Sequence, residues 1–98
     1  MRIACFGGAH LDTKAHLAAN PRLGSSNPAR ITRAPGGVAC NVARGLARLG
    51  AEVVVCSVVG DDAAAAELTA ILDGEDVGTG GLAVDAQRPT AGYLAVLD

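Results

Sequence analysis

The chain has 98 residues, a mass of 9.7 kDa and a formal net charge of −2, so it holds one domain at most, near the lower limit for a self-sufficient core. Half of its residues are apolar, but 20 are Ala and the only aromatics are Phe6 and Tyr93, and small side chains bury little area. A charged fraction of 18% excludes the polar, strongly charged profile of a disordered chain.

Seven of the eight basic residues are Arg, scattered from Arg2 to Arg88 among ten acids. No electrostatic footprint for a phosphate backbone results, and no nucleic-acid partner is expected. The start, Met1 to Phe6 running into Gly7-Gly8, leaves no room for a signal-peptide apolar stretch, and no run approaches membrane-spanning length. A cytoplasmic protein without a membrane partner is expected. Cys5, Cys40 and Cys56 are odd in number and far apart, so three buried thiols are expected rather than disulfides or a zinc site.

In chain order, Arg2 to Phe6 reads as a buried strand stopped by Gly7-Gly8. His10 and Asp12 follow two apart, so an extended chain there would project both from one face. Residues 13 to 35 are broken by Asn20-Pro21, Gly24-Ser25-Ser26-Asn27-Pro28 and Pro35, with alternation at Arg30 to Arg33; this predicts a hairpin-like flap of short strands. Gly36-Gly37 then opens a helix over Val38 to Leu49, with Val38, Val42, Leu46 and Leu49 at helical spacing and Gly50 as its stop.

Val53 to Val59 is a β-branched run of the kind buried on both faces. Strand, helix and strand make a βαβ unit and a parallel sheet. Asp61 or Asp62 caps a second helix over Ala63 to Asp73, with Leu68, Ile71 and Leu72 as its apolar side and Gly74 as its stop. Leu82 to Val84 predicts a short strand, Gln87-Arg88-Pro89 a turn, and Thr90 to Leu97 a last strand. A parallel sheet needs helices on both faces, which this length does not supply, so part of a larger domain is expected.

Pro35-Gly36-Gly37-Val38-Ala39-Cys40-Asn41 is the strongest local feature. Glycines ahead of a helix let a ligand approach the backbone, and the helix start offers N–H groups to hydroxyl or anionic oxygens. Asn41 can donate and accept at once, which suits vicinal sugar hydroxyls, and Asp12 is a charged acceptor for the same groups. A plain turn with a locally satisfied Asn, a solvated Asp12 and a partly buried His10 explain the same residues without a ligand. Gly-x-Gly-x-x-Gly, Gly-x-x-x-x-Gly-Lys-[Ser/Thr] and Gly-x-Ser-x-Gly are all absent. Their absence argues against a dinucleotide oxidoreductase, a P-loop and a serine hydrolase respectively.

Gly36-Gly37-Val38-Ala39-Cys40-Asn41-Val42-Ala43, with Gly50 six residues on and Gly60 after nine more, resembles the first signature of the PfkB/ribokinase family of carbohydrate kinases. Gly8-Ala9-His10-Leu11-Asp12 and Ser57 to Asp62 fall where that family has its first strand end and its Gly-Asp turn. Ser26 to Ile31, Pro35 to Val38 and Thr90 to Asp98 are most similar to its pseudouridine kinases.

The resemblance implies an α/β Rossmann-like sandwich of ribokinase type with a small β-sheet lid, of which residues 1–98 are the N-terminal part and about 13–35 and 88–98 the lid. It implies a sugar or nucleoside as substrate, held by Asp12, Gly36, Gly37 and Asn41. His10 stands where many members have Asn, and it joins the substrate-binding set as a second contact. The full-length enzyme is expected to transfer the γ-phosphoryl of ATP, with Mg²⁺, to a sugar hydroxyl, the 5'-hydroxyl of pseudouridine. The family's second signature, a Gly-Ala-Gly-Asp loop carrying the catalytic base, does not occur in the 98 residues, so they hold no catalytic residue, metal ligand or ATP site. A homodimer through the lid is an expected partner arrangement. The rival reading is a non-catalytic sugar-binding or strand-pairing remnant, made plausible by exposed strand edges.

Overall fold

The valine run in the middle of the chain becomes the central strand of a sheet, because β-branched side chains fit a pleated surface flanked on both sides. The computed structural model describes residues 1–98. Its elements are β1 (Arg2–Phe6), β2 (His10–Leu17), β3 (Ala29–Gly36), α1 (Val38–Arg48), β4 (Glu52–Gly60), α2 (Ala63–Gly74), β5 (Val77–Asp85) and β6 (Gly92–Leu97). One sheet is parallel, in the order β1-β4-β5. The other has the order β3-β2-β6, antiparallel between β2 and β3 and parallel between β2 and β6.

Both helices pack on one face of the parallel sheet. Val53, Val55 and Val59 of β4, Ala39, Cys40 and Ala43 of α1, and Ala65, Leu68 and Leu72 of α2 form one buried cluster with Val77. Two layers of an α/β sandwich are therefore present. The expectation that β1 and β4 are buried on both faces does not hold. They alternate instead, leaving Phe6 79% and Val58 60% exposed, because no element of the 98 residues covers the second face. Only Cys40 is a buried thiol; Cys56 is half-buried on the uncovered face, and Cys5 is half-buried against the edge of the core cluster.

α1 turns a different side to the sheet from the one its larger residues predict. Val38, Val42 and Leu49 are exposed, and the row Ala39, Cys40, Ala43 is buried. The cause is proximity: a Cβ on Gly7 would lie 3.1 Å from the Ala39 Cβ, so only small side chains fit between helix and strand. The predicted three-residue strand at Leu82 is nine residues long. Its Gly81 lies where a Cβ would meet the Val55 carbonyl oxygen at 2.6 Å, beside a register shift between Val54 and Cys56; glycine in a strand marks such a bulge and close approach.

The last strand begins at Gly92, two residues later than expected, because Thr90 is used as a tether. Asp62, the N-cap of α2, accepts from the Ala65 amide at 2.9 Å. It also accepts from the Thr90 amide at 2.8 Å and the Thr90 hydroxyl at 2.6 Å. The Thr90 oxygen in turn accepts from the Gly60 amide at 2.9 Å. One carboxylate thus ties the end of β4 and the start of α2 to the segment entering β6. The Thr90 hydroxyl, followed by the two amides, holds the Asp62 carboxyl below the usual carboxylate range.

Only 15 of the 98 residues are buried, and the chain exposes 6326 Å², against about 5100 Å² expected for a folded monomer of this mass. No helix is long and apolar enough to cross a membrane.

Three outcomes follow from this packing. Leu68→Ala should lower stability by about 2–5 kcal/mol in urea unfolding, the range for emptying a filled core site. Thr90→Val should cost about 1–3 kcal/mol by leaving the Gly60 amide without its partner. Asp62 stabilises the fold while ionised, because its folded-state pKa is lowered. The stability gap between the parent and Asp62→Asn should be full above the ordinary carboxylate range and close as pH falls through the lowered folded-state value.

Candidate functional site

Gly7-Gly8 ends β1, and the chain re-enters extended form at His10, so His10, Asp12, Lys14 and His16 share one face of β2. The β2–β3 register sets Gly36 opposite His10 and Ala34 opposite Asp12, and on the other side β6 sets Tyr93 opposite Asp12. Asp12, Lys14, Thr32, Ala34 and Pro35 line a cavity of about 180 Å³ on this face. The second sheet therefore starts at His10, three residues ahead of the predicted flap, and the expected side-by-side placement of His10 and Asp12 is what forms.

The two glycines are each required by a different contact. A Cβ on Gly36 would lie 2.6 Å from the Asp12 carboxyl carbon, so the carboxylate occupies the space a side chain would fill. Gly37 has φ 95°, a left-handed conformation that L side chains rarely adopt, and a Cβ there would strike the Gly8 carbonyl. That carbonyl accepts from the Cys40 amide at 3.2 Å. Gly37, the N-cap of α1, offers no side chain to cap it.

His10 Nδ1 lies 2.8 Å from Asp12 Oδ1, an ion pair when the imidazole is protonated. Both atoms are shielded from solvent with no hydrogen-bond partner. A buried acceptor left open costs about 1–3 kcal/mol, a deficit that a ligand hydroxyl donating to Asp12 would remove. Asn41 stands on the first turn of α1, exposed, with its side chain in no hydrogen bond within the chain. The structure thus gathers His10, Asp12, Gly36 and Gly37 and leaves Asn41 unengaged beside them.

Two supports escaped the sequence reading. Arg44 Nε lies 3.1 Å from both carboxylate oxygens of Glu75, and Arg44 Nη1 donates to the Pro35 carbonyl at 3.2 Å. The pair is only 19% and 26% exposed and joins α1, the end of α2 and the residue before Gly36. The two residues stand 31 apart in the chain, and no local pattern signals such a pairing. Asn27 closes the β2–β3 loop by bonding the Arg22 and Ser25 carbonyls and accepting from the Arg22 amide. Behind the site, burial pushes the Cys40 thiol up, which keeps it neutral next to the Asp12 carboxylate.

A parallel βαβ unit thus leads into a glycine-led helix set against Asp12 on a second three-stranded sheet. The chain belongs to the pfkB family of carbohydrate kinases, whose pattern matches residues 2–98, and its fold is ribokinase-like. It is similar to a carbohydrate kinase structure from Agrobacterium tumefaciens, with a TM-score of 0.87 and 30% identity over 97% of this chain and 31% of that one. A fructokinase from Xylella fastidiosa with bound ATP gives a TM-score of 0.78 and 29% identity over 96% of this chain and 29% of that one. The bifunctional protein HldE of Caulobacter sp. (strain K31) is 48% identical over 54 residues, 55% of this chain and 11% of that protein. The chain therefore spans about a third of the length of the structures it matches.

Gly36→Ala should displace the Asp12 carboxylate and lower stability by about 1–3 kcal/mol in urea unfolding, the range for forcing an extra carbon into a filled site.

Proposed function

We propose that these residues are the acceptor-binding part of a sugar or nucleoside kinase whose full-length form transfers the γ-phosphoryl of ATP to the 5'-hydroxyl of pseudouridine. The observation that carries this reading is the Asp12 carboxylate, seated against Gly36 at the edge of a cavity, with no hydrogen bond from the chain to its Oδ1. Asp12 accepts from two hydroxyls of the ribose, the Gly36 and Gly37 backbone lies along the ring, and Asn41 and His10 add contacts from either side. An ionised acceptor binds hydroxyls about twice as strongly as a neutral one. Fixing the ribose on both sides sets its primary hydroxyl in one place, and positioning is most of what phosphoryl transfer asks of the acceptor side.

ATP with Mg²⁺ supplies the phosphoryl group when bound. The residues present here do not fit that group. The first turn of α2 is capped by Asp62, an anion that would repel phosphate, and no cluster of three His, Cys, Asp or Glu side chains converges to hold a metal. In this reading donor site and catalytic base lie in the rest of the protein, a division supported by relatives about three times longer. The protein works in the cytoplasm on small molecules, without nucleic acid or membrane.

The face of the second sheet opposite Asp12 favours a second copy as partner. Ile31, Leu94 and Val96 share that face and are 53%, 68% and 62% exposed, an apolar patch suited to self-association. The alternative, a sugar-binding or strand-pairing remnant without catalysis, would use the same two faces.

The test is steady-state kinetics of the full-length protein with MgATP against pseudouridine, uridine, ribose and fructose. Pseudouridine should have the highest kcat/KM. Asp12→Asn should reduce it about 10- to 100-fold, the range for one hydrogen bond to a charged group. Activity on another acceptor alone would keep the kinase and refute the pseudouridine assignment; unchanged kinetics in Asp12→Asn would refute the site.

A further inference from the structure

Beyond Asp12 the same face of β2 carries Lys14, about 7 Å further along at two residues' rise. The register sets Thr32 directly opposite it. Both line the cavity that Asp12 borders. The Lys14 ammonium has no carboxylate within ion-pair distance, although His10 pairs with Asp12 on the same face and five pairs form elsewhere, and no side-chain hydrogen bond within the chain involves the Thr32 hydroxyl. Tyr93, opposite Asp12 on β6 and 59% exposed, lies on the same face. A carboxylate, an aromatic side chain and two free donors therefore share one face across the three strands β3, β2 and β6.

We propose that Lys14 and Thr32 form a specificity-determining donor pair for a carbonyl-bearing ring attached to the acceptor ribose, with Tyr93 as the surface that ring lies against. The proposal rests on the kinase reading and deepens it. Asp12 fixes the hydroxyls of the furanose, and the ring on its anomeric carbon then reaches toward Lys14. Ring carbonyl oxygens are acceptors without a proton of their own, and they match an ammonium and a hydroxyl, which both donate. A bare sugar leaves both donors facing water and gains nothing from them.

The experiment compares pseudouridine with ribose in the full-length protein, in parent, Lys14→Met and Thr32→Val forms. Initial-rate kinetics is paired with calorimetric binding of each acceptor in the absence of ATP. Lys14→Met should lower affinity and kcat/KM for pseudouridine about 10- to 100-fold, the range for a hydrogen bond to a charged group, with ribose unchanged. Thr32→Val should act in the same direction with a smaller loss. An equal loss for both acceptors, or none for either, overturns the proposal. A parent enzyme that phosphorylates ribose but binds the nucleoside no better also overturns it and leaves the kinase reading standing. Loss of all acceptor binding in the parent would sink the kinase reading itself.

Discussion

The placement of every candidate group depends on one close approach, that of Gly36-Gly37 to Gly8 and Asp12. A methyl group at position 37 would strike the Gly8 carbonyl, and one at 36 would displace the Asp12 carboxylate. The Cys40 amide completes the seam by bonding the Gly8 carbonyl. Because Gly36 ends β3 and Gly37 caps α1, this contact fixes both the angle at which the second sheet leaves the first and the depth at which the helix meets it. The Arg44–Glu75 pair clamps the same seam from behind through the Pro35 carbonyl. Asp12 thus gains its position from backbone shape, which side-chain fluctuation barely disturbs.

Backbone contact of this kind demands small side chains around it, and the alanine-rich composition follows from that demand. Ala39, Ala43 and Cys40 face the sheet because larger residues would push α1 away from Gly7 and carry Gly37 with it. Little apolar volume is buried in consequence, and polar ties do part of the holding. Asp62 joins three segments through Thr90 and Ala65, and Arg33 reaches Glu67 at 3.3 Å between the second sheet and α2. The helix-backed sheet is set by packing, and the second sheet by hydrogen bonds and ion pairs.

Local patterns in the sequence carried the strands, both helices and the Gly36-Gly37 turn, since periodicity, caps and glycines report on a residue's near neighbours. The pairing of His10 with Asp12 was legible for the same reason, being a matter of two-residue alternation. What stayed hidden depends on contacts distant in sequence. The valines of β4 read as buried on both faces, although only one is covered. Val38, Val42 and Leu49 outscore Ala39 and Ala43 as a core side on hydrophobicity alone, but the distance to Gly7 selects the smaller row. Thr90 looked like strand sequence because nothing near it reveals Asp62, 28 residues earlier. The strand expected at Leu82 to Val84 starts earlier, at Val77, and the close approach of Gly81 to the Val55 carbonyl explains the glycine there.

The open polar atoms of His10 and Asp12 are consistent with this division of labour. A site organised for stability alone would pair Asp12 with a donor from the chain, and Arg44 stands on the neighbouring helix with five N–H groups to offer. Arg44 is instead engaged by Glu75 and Pro35, so its charge is neutralised away from Asp12 and its geometry is spent on the loop. Cys40, the side chain buried behind the glycine pair, is uncharged and a weak hydrogen-bond donor. The carboxylate is therefore held by shape, with His10 Nδ1 at 2.8 Å as its close polar neighbour. A carboxylate positioned by backbone contacts keeps its place when a ligand hydroxyl donates to it, because no bond that orients it has to break first.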